Sequence, residues 1–172
     1  MGHFGNLTFE DYGTHIPFLT ACVAKTHGAV VELGCGDYST YTLHVLCHAL
    51  GRHLSTFDND AEWLGRYLEL RSPTHWVECF EDLAESDKHD CGVLFIDCKP
   101  GEIRGDLLRK WRGHADIILV HDSENNGYGY APTIAEFKYR VDCYRLRPAT
   151  TALSDTVDLR FLHLPGDMYT SG

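Results

Sequence analysis

No stretch of this 172-residue chain stays apolar for the ~20 residues that a membrane-spanning helix requires, so no span is expected. The opening MGHFGN has neither a basic n-region nor an apolar h-region, which argues against export and for a cytoplasmic protein. Basic residues are the scarcer charge: 15 Lys and Arg stand against 25 Asp and Glu, a formal net charge of −10, and they are spread out. Binding to a nucleic-acid backbone rests on clustered positive charge, so that partner class is disfavoured, and the 11 histidines add charge only below neutral pH. A small molecule is the expected partner. CxxC pairs are missing as well. The seven cysteines (22, 35, 47, 79, 91, 98 and 143) are odd in number and scattered, in a chain long enough to build a core without cross-links. They read as reduced thiols, most of them small buried hydrophobes. Internal repeats, low-complexity tracts and charge blocks are absent too, and the length fits one domain.

What is present is alternation. Residues 29–33 form an apolar run ended by Gly-Cys-Gly, the pattern of a strand buried on both faces. Residues 40–50 place Leu43, Leu46, Cys47 and Leu50 on one helical face. Residues 53–58 predict a second strand, 61–70 a helix with Trp63, Leu64, Tyr67 and Leu68 inward, and 75–80 a third strand, while 81–90 hold at most a short helix. Residues 92–97 and 116–121 read as the fourth and fifth strands, with a helix over 104–111 between them. The polar, glycine-containing and aromatic stretch DSENNGYGY, residues 122–130, reads as a mobile loop over a site. Pro132 opens a helix through about residue 141, and residues 144–154 and 157–164 read as an antiparallel hairpin turned at Asp155. The pattern implies a doubly wound, Rossmann-like α/β domain: a mostly parallel seven-stranded sheet with right-handed crossovers, helices on both faces and a C-terminal antiparallel hairpin. Such sheets bind ligands at the carboxyl ends of the strands, near the point where strand order reverses.

The run VVELGCGDYST, residues 30–40, lies at one of those ends. Gly34 and Gly36 follow a strand and precede a helix, where the chain turns tightly and lets its backbone approach a ligand. Ser39 or Asp37 is placed to cap the new helix. A dinucleotide fingerprint wants a third glycine where Ser39 stands, and the carboxylate of Glu32 suits a cationic ligand head better than a diphosphate. Asp58 ends the second strand, where an acid can accept both hydroxyls of a ribose.

Glu32-Leu-Gly34-Cys-Gly36 together with Asp58 resembles the class I S-adenosylmethionine-dependent methyltransferases, over about residues 29–164. The resemblance implies that the glycine turn, with Ser39, lies against the amino-acid part of S-adenosylmethionine, that Glu32 organises this region and that Asp58 binds the ribose. It also implies an N-terminal cap segment, residues 1–28, ahead of the cofactor-binding domain of residues 29–172. Phe80 and Glu81, with Asp82, occupy the place that faces the adenine in that family; read from the residues alone, they are equally a core Phe followed by two solvated acids.

Methyl transfer is an in-line displacement that needs an aligned nucleophile and, for a hydroxyl, a proton acceptor. The strand ends beside the glycine turn carry Asp97-Cys98-Lys99 and His121-Asp122-Ser123-Glu124. This arrangement is similar to the catechol and caffeoyl type of small-molecule O-methyltransferase, which implies Asp97 and Asp122 as ligands of Mg²⁺ or another divalent metal. Ser123 stands where that family has Asn. Without a metal, His121 is the natural general base, and Lys99 serves only if burial lowers its pKa. Four acids, Glu32, Asp58, Asp97 and Asp122, close four strands on one edge, which one shared site explains better than four separate caps. His44 and His48 have the spacing of a helical metal pair but no third ligand nearby. His15 lies in the segment that closes over the cofactor in this family, or simply in a turn before a short helix. The expected activity is methyl transfer to a small hydroxyl acceptor, with Asp97, His121 and Asp122 at the centre; a non-catalytic binding protein of the same fold, a nucleic-acid methyltransferase and a nucleotide-linked oxidoreductase are the alternatives. With no separate substrate domain, selectivity falls to residues 3–18, to the 123–131 loop and to a neighbouring copy in a homo-oligomer.

Overall fold

A computed structural model describes residues 13–86 and 89–162. In chain order, α1 (Ile16–Lys25) leads to β1 (Val30–Leu33), α2 (Ser39–Leu50), β2 (Leu54–Asp58), α3 (Ala61–Leu64) and β3 (His75–Cys79). Then come β4 (Cys91–Ile96), α4 (Arg104–Trp111), β5 (Ala115–His121), α5 (Ala131–Ile134), β6 (Tyr139–Cys143) and β7 (Thr150–Ser154). The strands form one sheet in the order β3-β2-β1-β4-β5-β7-β6. Pairing is parallel from β3 to β5 and antiparallel for β5–β7 and β7–β6. This is the doubly wound sheet with a terminal hairpin that the alternation predicts, and strand order reverses between β1 and β4.

Position in the sheet explains residue choice. Every residue of the interior strands β1, β4 and β7 is buried, which is why they read as continuous apolar runs. The edge strand β3 alternates, with Val77 buried and Trp76 exposed. Successive β4 residues serve opposite layers. Phe95 packs with Leu19, Val23, Leu43 and Cys47 beneath α1 and α2, whereas Leu94 and Ile96 pack with Leu107, Leu108, Trp111 and Ile134 beneath α4 and α5. Burying each such side chain stabilises by about 1.5–3 kcal/mol.

Helix α1 is thus part of the core, although it belongs to the segment expected to cap the domain; residues 1–12 of that segment lie outside the described residues. Its C-terminal end is fastened by buried Arg52, which donates to the carbonyls of Val23 (2.5 Å), Gly28 (2.6 Å) and Thr26 (3.2 Å). A guanidinium there also complements the negative end of the helix. No helix among the described residues is long and apolar enough to cross a membrane. All seven cysteines are free thiols, five of them buried, as expected.

Three expectations need correction. The helix over 61–70 is α-helical only to Leu64 and continues as a 3-10 helix, Gly65–Leu70. Three residues per turn align Leu64 with Tyr67, which are buried, and leave Trp63 and Leu68 exposed by 38% and 42%. The helix from Pro132 stops at Ile134, and residues 139–143 form β6 instead; the spacing of Ile134, Phe137 and Val141 fits a helical face, but Tyr-Arg-Val is equally good strand sequence on an edge. The hairpin is consequently displaced: its strands are β6 and β7, residues 144–149 connect them, and Leu159–Leu162 is a 3-10 turn where a strand over 157–164 was expected. Residues 163 and 164 lie outside the described residues.

Candidate active site

The turn after β1 is fixed by its own backbone needs. Gly34 has φ +96°, and a Cβ there would stand 2.5 Å from the Asp97 carbonyl carbon and from Cys98 backbone atoms. The missing side chain therefore makes room for the chain leaving β4, which presses the glycine turn against Asp97. Gly36 is less constrained, since its Cβ would meet only the Ser39 hydroxyl at 3.4 Å. Neither Ser39 nor Asp37 caps α2. The N-cap is Tyr38, without a side-chain bond, and Ser39 is the buried first residue of the helix. Asp37 instead accepts from the Tyr67 hydroxyl at 2.8 Å and pairs with Arg66 at 3.0 Å. Thr40 ties the turn to the strand instead: its hydroxyl accepts the Gly36 N–H (2.9 Å) and donates to Glu32 Oε2 (3.0 Å).

Glu32 is fully buried and also accepts from Thr56 at 2.8 Å, while no group among the described residues makes a hydrogen bond to its Oε1, although the Ser39 hydroxyl stands nearby. Burial pushes its carboxyl up to about 7, against the Ser39, Thr56 and Thr40 hydroxyls that favour the anion, and the nearby Asp97 charge adds to the rise. Asp58 clamps the turn from β2. Its Oδ2 accepts the Cys35 N–H (2.8 Å), and its Oδ1 accepts the Asp60 N–H (2.9 Å). Phe80 is half-buried, edge-on to Phe57 at 5.3 Å, and Glu81 is exposed.

Asp97 and Asp122, at the ends of β4 and β5, are brought together by a residue that the sequence did not point to. Arg104, the first residue of α4, places one guanidinium nitrogen 3.0 Å from Asp97 Oδ1 and another 3.0 Å from Asp122 Oδ2. Its side chain is 4% exposed, and it also donates to the Cys98 carbonyl at 2.6 Å. Burial works against its charge, yet Asp97, Tyr130 and Asp122 raise its pKa further. A guanidinium fork therefore fills the place between the two carboxylates that the resemblance assigns to a divalent metal, so that pair does not fit a metal.

His121, also buried, is the fourth member. Its Nδ1 lies 3.2 Å from Asp97 Oδ2, and its Nε2 lies 3.0 Å from the Thr14 hydroxyl. Thr14 donates its own proton to the Pro148 carbonyl at 2.6 Å, so it must accept from His121 Nε2–H. Nδ1 faces a carboxylate and carries a proton as well, which makes His121 an imidazolium. Burial opposes that charge, but Asp97 and then Asp122 raise the His121 pKa above its usual value. Reciprocally, although burial works against the Asp97 charge, His121 and Arg104 hold its carboxyl below the usual range. The imidazolium is not a free general base, contrary to the expectation for His121. The remaining unbonded carboxylate oxygen is Asp122 Oδ1, 3.9 Å from His121 Nδ1.

The 122–130 loop is anchored rather than loose. Asp122 adopts φ +51°, Tyr128 lies over the Arg104 guanidinium at 4.6 Å, and buried Tyr130 donates to the His121 carbonyl at 3.2 Å. Glu124 points away from the cluster and accepts the Ala149 N–H at 2.9 Å. Lys99 is exposed. His44 pairs not with His48 but with His75, at 2.9 Å. A cleft of about 360 Å³ opens at the opposite edge of the sheet, beside His27, Asp90 and Asp116, but those acids are solvated, whereas the ion pairs of buried Arg104 with half-buried Asp97 and Asp122 lie at the carboxyl edge.

No protein-family model matches the chain, and no curated protein matches its sequence. Solved structures do match its fold. An SAH-bound methyltransferase of Podospora anserina, PaMTH1, superposes with a TM-score of 0.64 at 12% identity, over 83% of this chain and 77% of that one. An O-methyltransferase from Bacillus cereus in complex with SAH gives 0.58 at 13% identity, over 87% and 84%. The METTL16 MTase domain gives 0.59 at 12% identity, over 83% and 67%. At such identities the likeness is one of fold: the chain has the Rossmann-like architecture of the methyltransferases.

Proposed function

We propose that the chain is an S-adenosylmethionine-dependent methyltransferase acting on a hydroxyl of a small acceptor. The observation that carries this reading is the contact between the two halves of the site: the Gly34 turn packs directly on Asp97, so a ligand seated at the turn lies beside the Asp97–Arg104–Asp122–His121 cluster. The unpartnered Glu32 Oε1 suits the ammonium of the cofactor's amino-acid end, with Gly36 and Ser39 around it; Asp58 serves the ribose, and Phe80 and Glu81 the adenine. The fold shared with SAH-bound enzymes supports the same choice of cofactor.

When bound, S-adenosylmethionine would supply an electrophilic methyl group on a sulfonium for transfer to the acceptor oxygen, with the neutral thioether as the leaving group. Arg104 and the His121 imidazolium lower the cost of negative charge on the acceptor oxygen. Asp122 Oδ1, free of the Arg104 fork, takes the hydroxyl proton. Asp97 holds both cations in place. The acidic net charge favours a small acceptor over nucleic acid. Calorimetric titration with SAH, with NAD as control, tests the cofactor, and Asp122→Asn tests the chemistry. SAH should bind and NAD should not; the variant should keep SAH affinity and lose turnover by roughly 10²–10⁴-fold. Absence of SAH binding would remove the reading.

A further inference from the structure

His15 is left without a role by the reaction above, and its setting calls for one. The residue is 2% exposed, yet neither ring nitrogen has a hydrogen-bond partner among the described residues. Burying such a group unpaired costs about 1–3 kcal/mol. The ring is nonetheless held firmly. His15 is the N-cap of α1, its carbonyl accepts the Leu19 N–H at 2.9 Å, and its ring packs 4.8 Å from both Phe95 and His121. Burial, and then the His121 charge, lower its pKa to about 3, so it presents a neutral imidazole with a lone pair. A nitrogen of His15, a carboxylate oxygen of Asp97 and a nitrogen of His121 lie within 4.8 Å of one another.

We propose that His15, Asp97 and His121 form a binding site for a divalent first-row transition ion such as Zn²⁺ or Co²⁺. Metal–donor bonds of about 2.0–2.2 Å put neighbouring donors roughly 3–3.5 Å apart. His121 Nδ1 and Asp97 Oδ2 already stand at 3.2 Å, so an ion takes the place of the proton between them, and the His15 nitrogen, within 4.8 Å of the other donors, closes by up to roughly 1.5 Å. Two imidazoles and one carboxylate suit transition ions rather than Mg²⁺ or Ca²⁺. The outer partners are in place as well: Arg104 holds Asp97 Oδ1, and Thr14 holds His121 Nε2, which leaves Nδ1 as the donor. This site is distinct from the Asp97–Asp122 pair that Arg104 fills, and it stands on the geometry whether or not the chain transfers methyl groups.

The test uses the full chain stripped with EDTA and titrated with Co²⁺ by visible absorption and with Zn²⁺ by calorimetry, with Mg²⁺ in parallel. SAH affinity is measured on the same samples, which separates a failure of this site from a failure of the cofactor reading. The expected result is about one Co²⁺ per chain, with d–d bands that disappear in His15→Ala, affinity falling by roughly 100-fold or more. X-ray absorption of the Zn²⁺-loaded wild type, expected to show two imidazoles, decides the matter if that variant does not fold. Absence of stoichiometric Co²⁺ binding to the wild type, a folded His15→Ala that binds as tightly, or a zinc shell with fewer than two imidazoles would each overturn the proposal.

Discussion

Replacing Glu32 with Gln should remove a large pH dependence from the stability of the fold. Burial raises the Glu32 carboxyl from 4.5 to about 7, so between those values the folded chain keeps a proton that the unfolded chain has lost. A raised carboxyl of this kind costs nothing below about pH 4.5; its penalty grows as pH rises and is constant above about pH 7. At about 1.4 kcal/mol per unit, the shift amounts to about 3 kcal/mol. Gln keeps an oxygen to accept the Thr40 and Thr56 hydroxyls and carries no charge to bury. Urea denaturation of both proteins from pH 4.5 to 8 provides the measurement, because subtraction cancels every other titrating group. The variant should gain about 3 kcal/mol on the wild type across that range. A pH-independent difference would refute the assignment of a buried, protonated Glu32. A chain of hydrogen bonds links the carboxyl to the surface. Thr56 donates to Glu32 and so accepts from His75 Nε2–H at 3.0 Å, and His75 Nδ1 accepts from half-exposed His44 at 2.9 Å. A cationic ligand head at Oε1 would favour the Glu32 anion, so S-adenosylmethionine affinity should rise with pH through about 7 in the wild type only.

Two further substitutions probe the frame of the site. Gly34→Ala must combine φ +96° with a Cβ 2.5 Å from the Asp97–Cys98 backbone, so a loss beyond about 3 kcal/mol is expected in thermal or urea melts; a wild-type melt would refute the close packing. Arg104→Lys keeps the charge but cannot span Asp97 and Asp122 with two nitrogens, and it should cost about 1.5–3 kcal/mol with loss of turnover. Wild-type stability in that variant would show that a point charge suffices.

The parts of the fold visible in the sequence are those in which burial is continuous or strictly one-sided. β1, β4 and β5 announce themselves because strands covered on both faces admit little but apolar residues. The C-terminal region resists reading because short segments around Ile134 and Val141 satisfy the helical and the extended period equally; only pairing with β7 decides between them. The acids of the site were legible for a topological reason, since a doubly wound sheet gathers the ends of β1, β2, β4 and β5 at one edge. Arg104 was not, because a cation at the first residue of a helix runs against the helix dipole and gives no local reason for its presence. That misfit was the available signal: a basic residue in so unfavourable a place implies acids close enough to outweigh it. The protonation of His121 was beyond reach, since it follows from Thr14 and Pro148, which meet it only in the folded chain.

The cluster is balanced in charge, which is why it can be buried. Two carboxylates face one guanidinium and one imidazolium, and each carboxylate oxygen has a separate task. Asp97 Oδ1 and Asp122 Oδ2 are committed to Arg104, and that commitment excludes a hard cation between them. Asp97 Oδ2 faces whatever positive species occupies His121 Nδ1, a proton or a transition ion shared with His15. Asp122 Oδ1, 3.9 Å from His121 Nδ1, is the oxygen that receives the substrate proton in the proposed reaction. Exchanging the proton at His121 for a divalent ion adds one positive charge to the cluster. Neutral His15 contributes none, and the added positive charge favours the Glu32 anion: it should ionise at a lower pH in the loaded protein, and the pH slope that Glu32→Gln removes should shrink when Zn²⁺ is present.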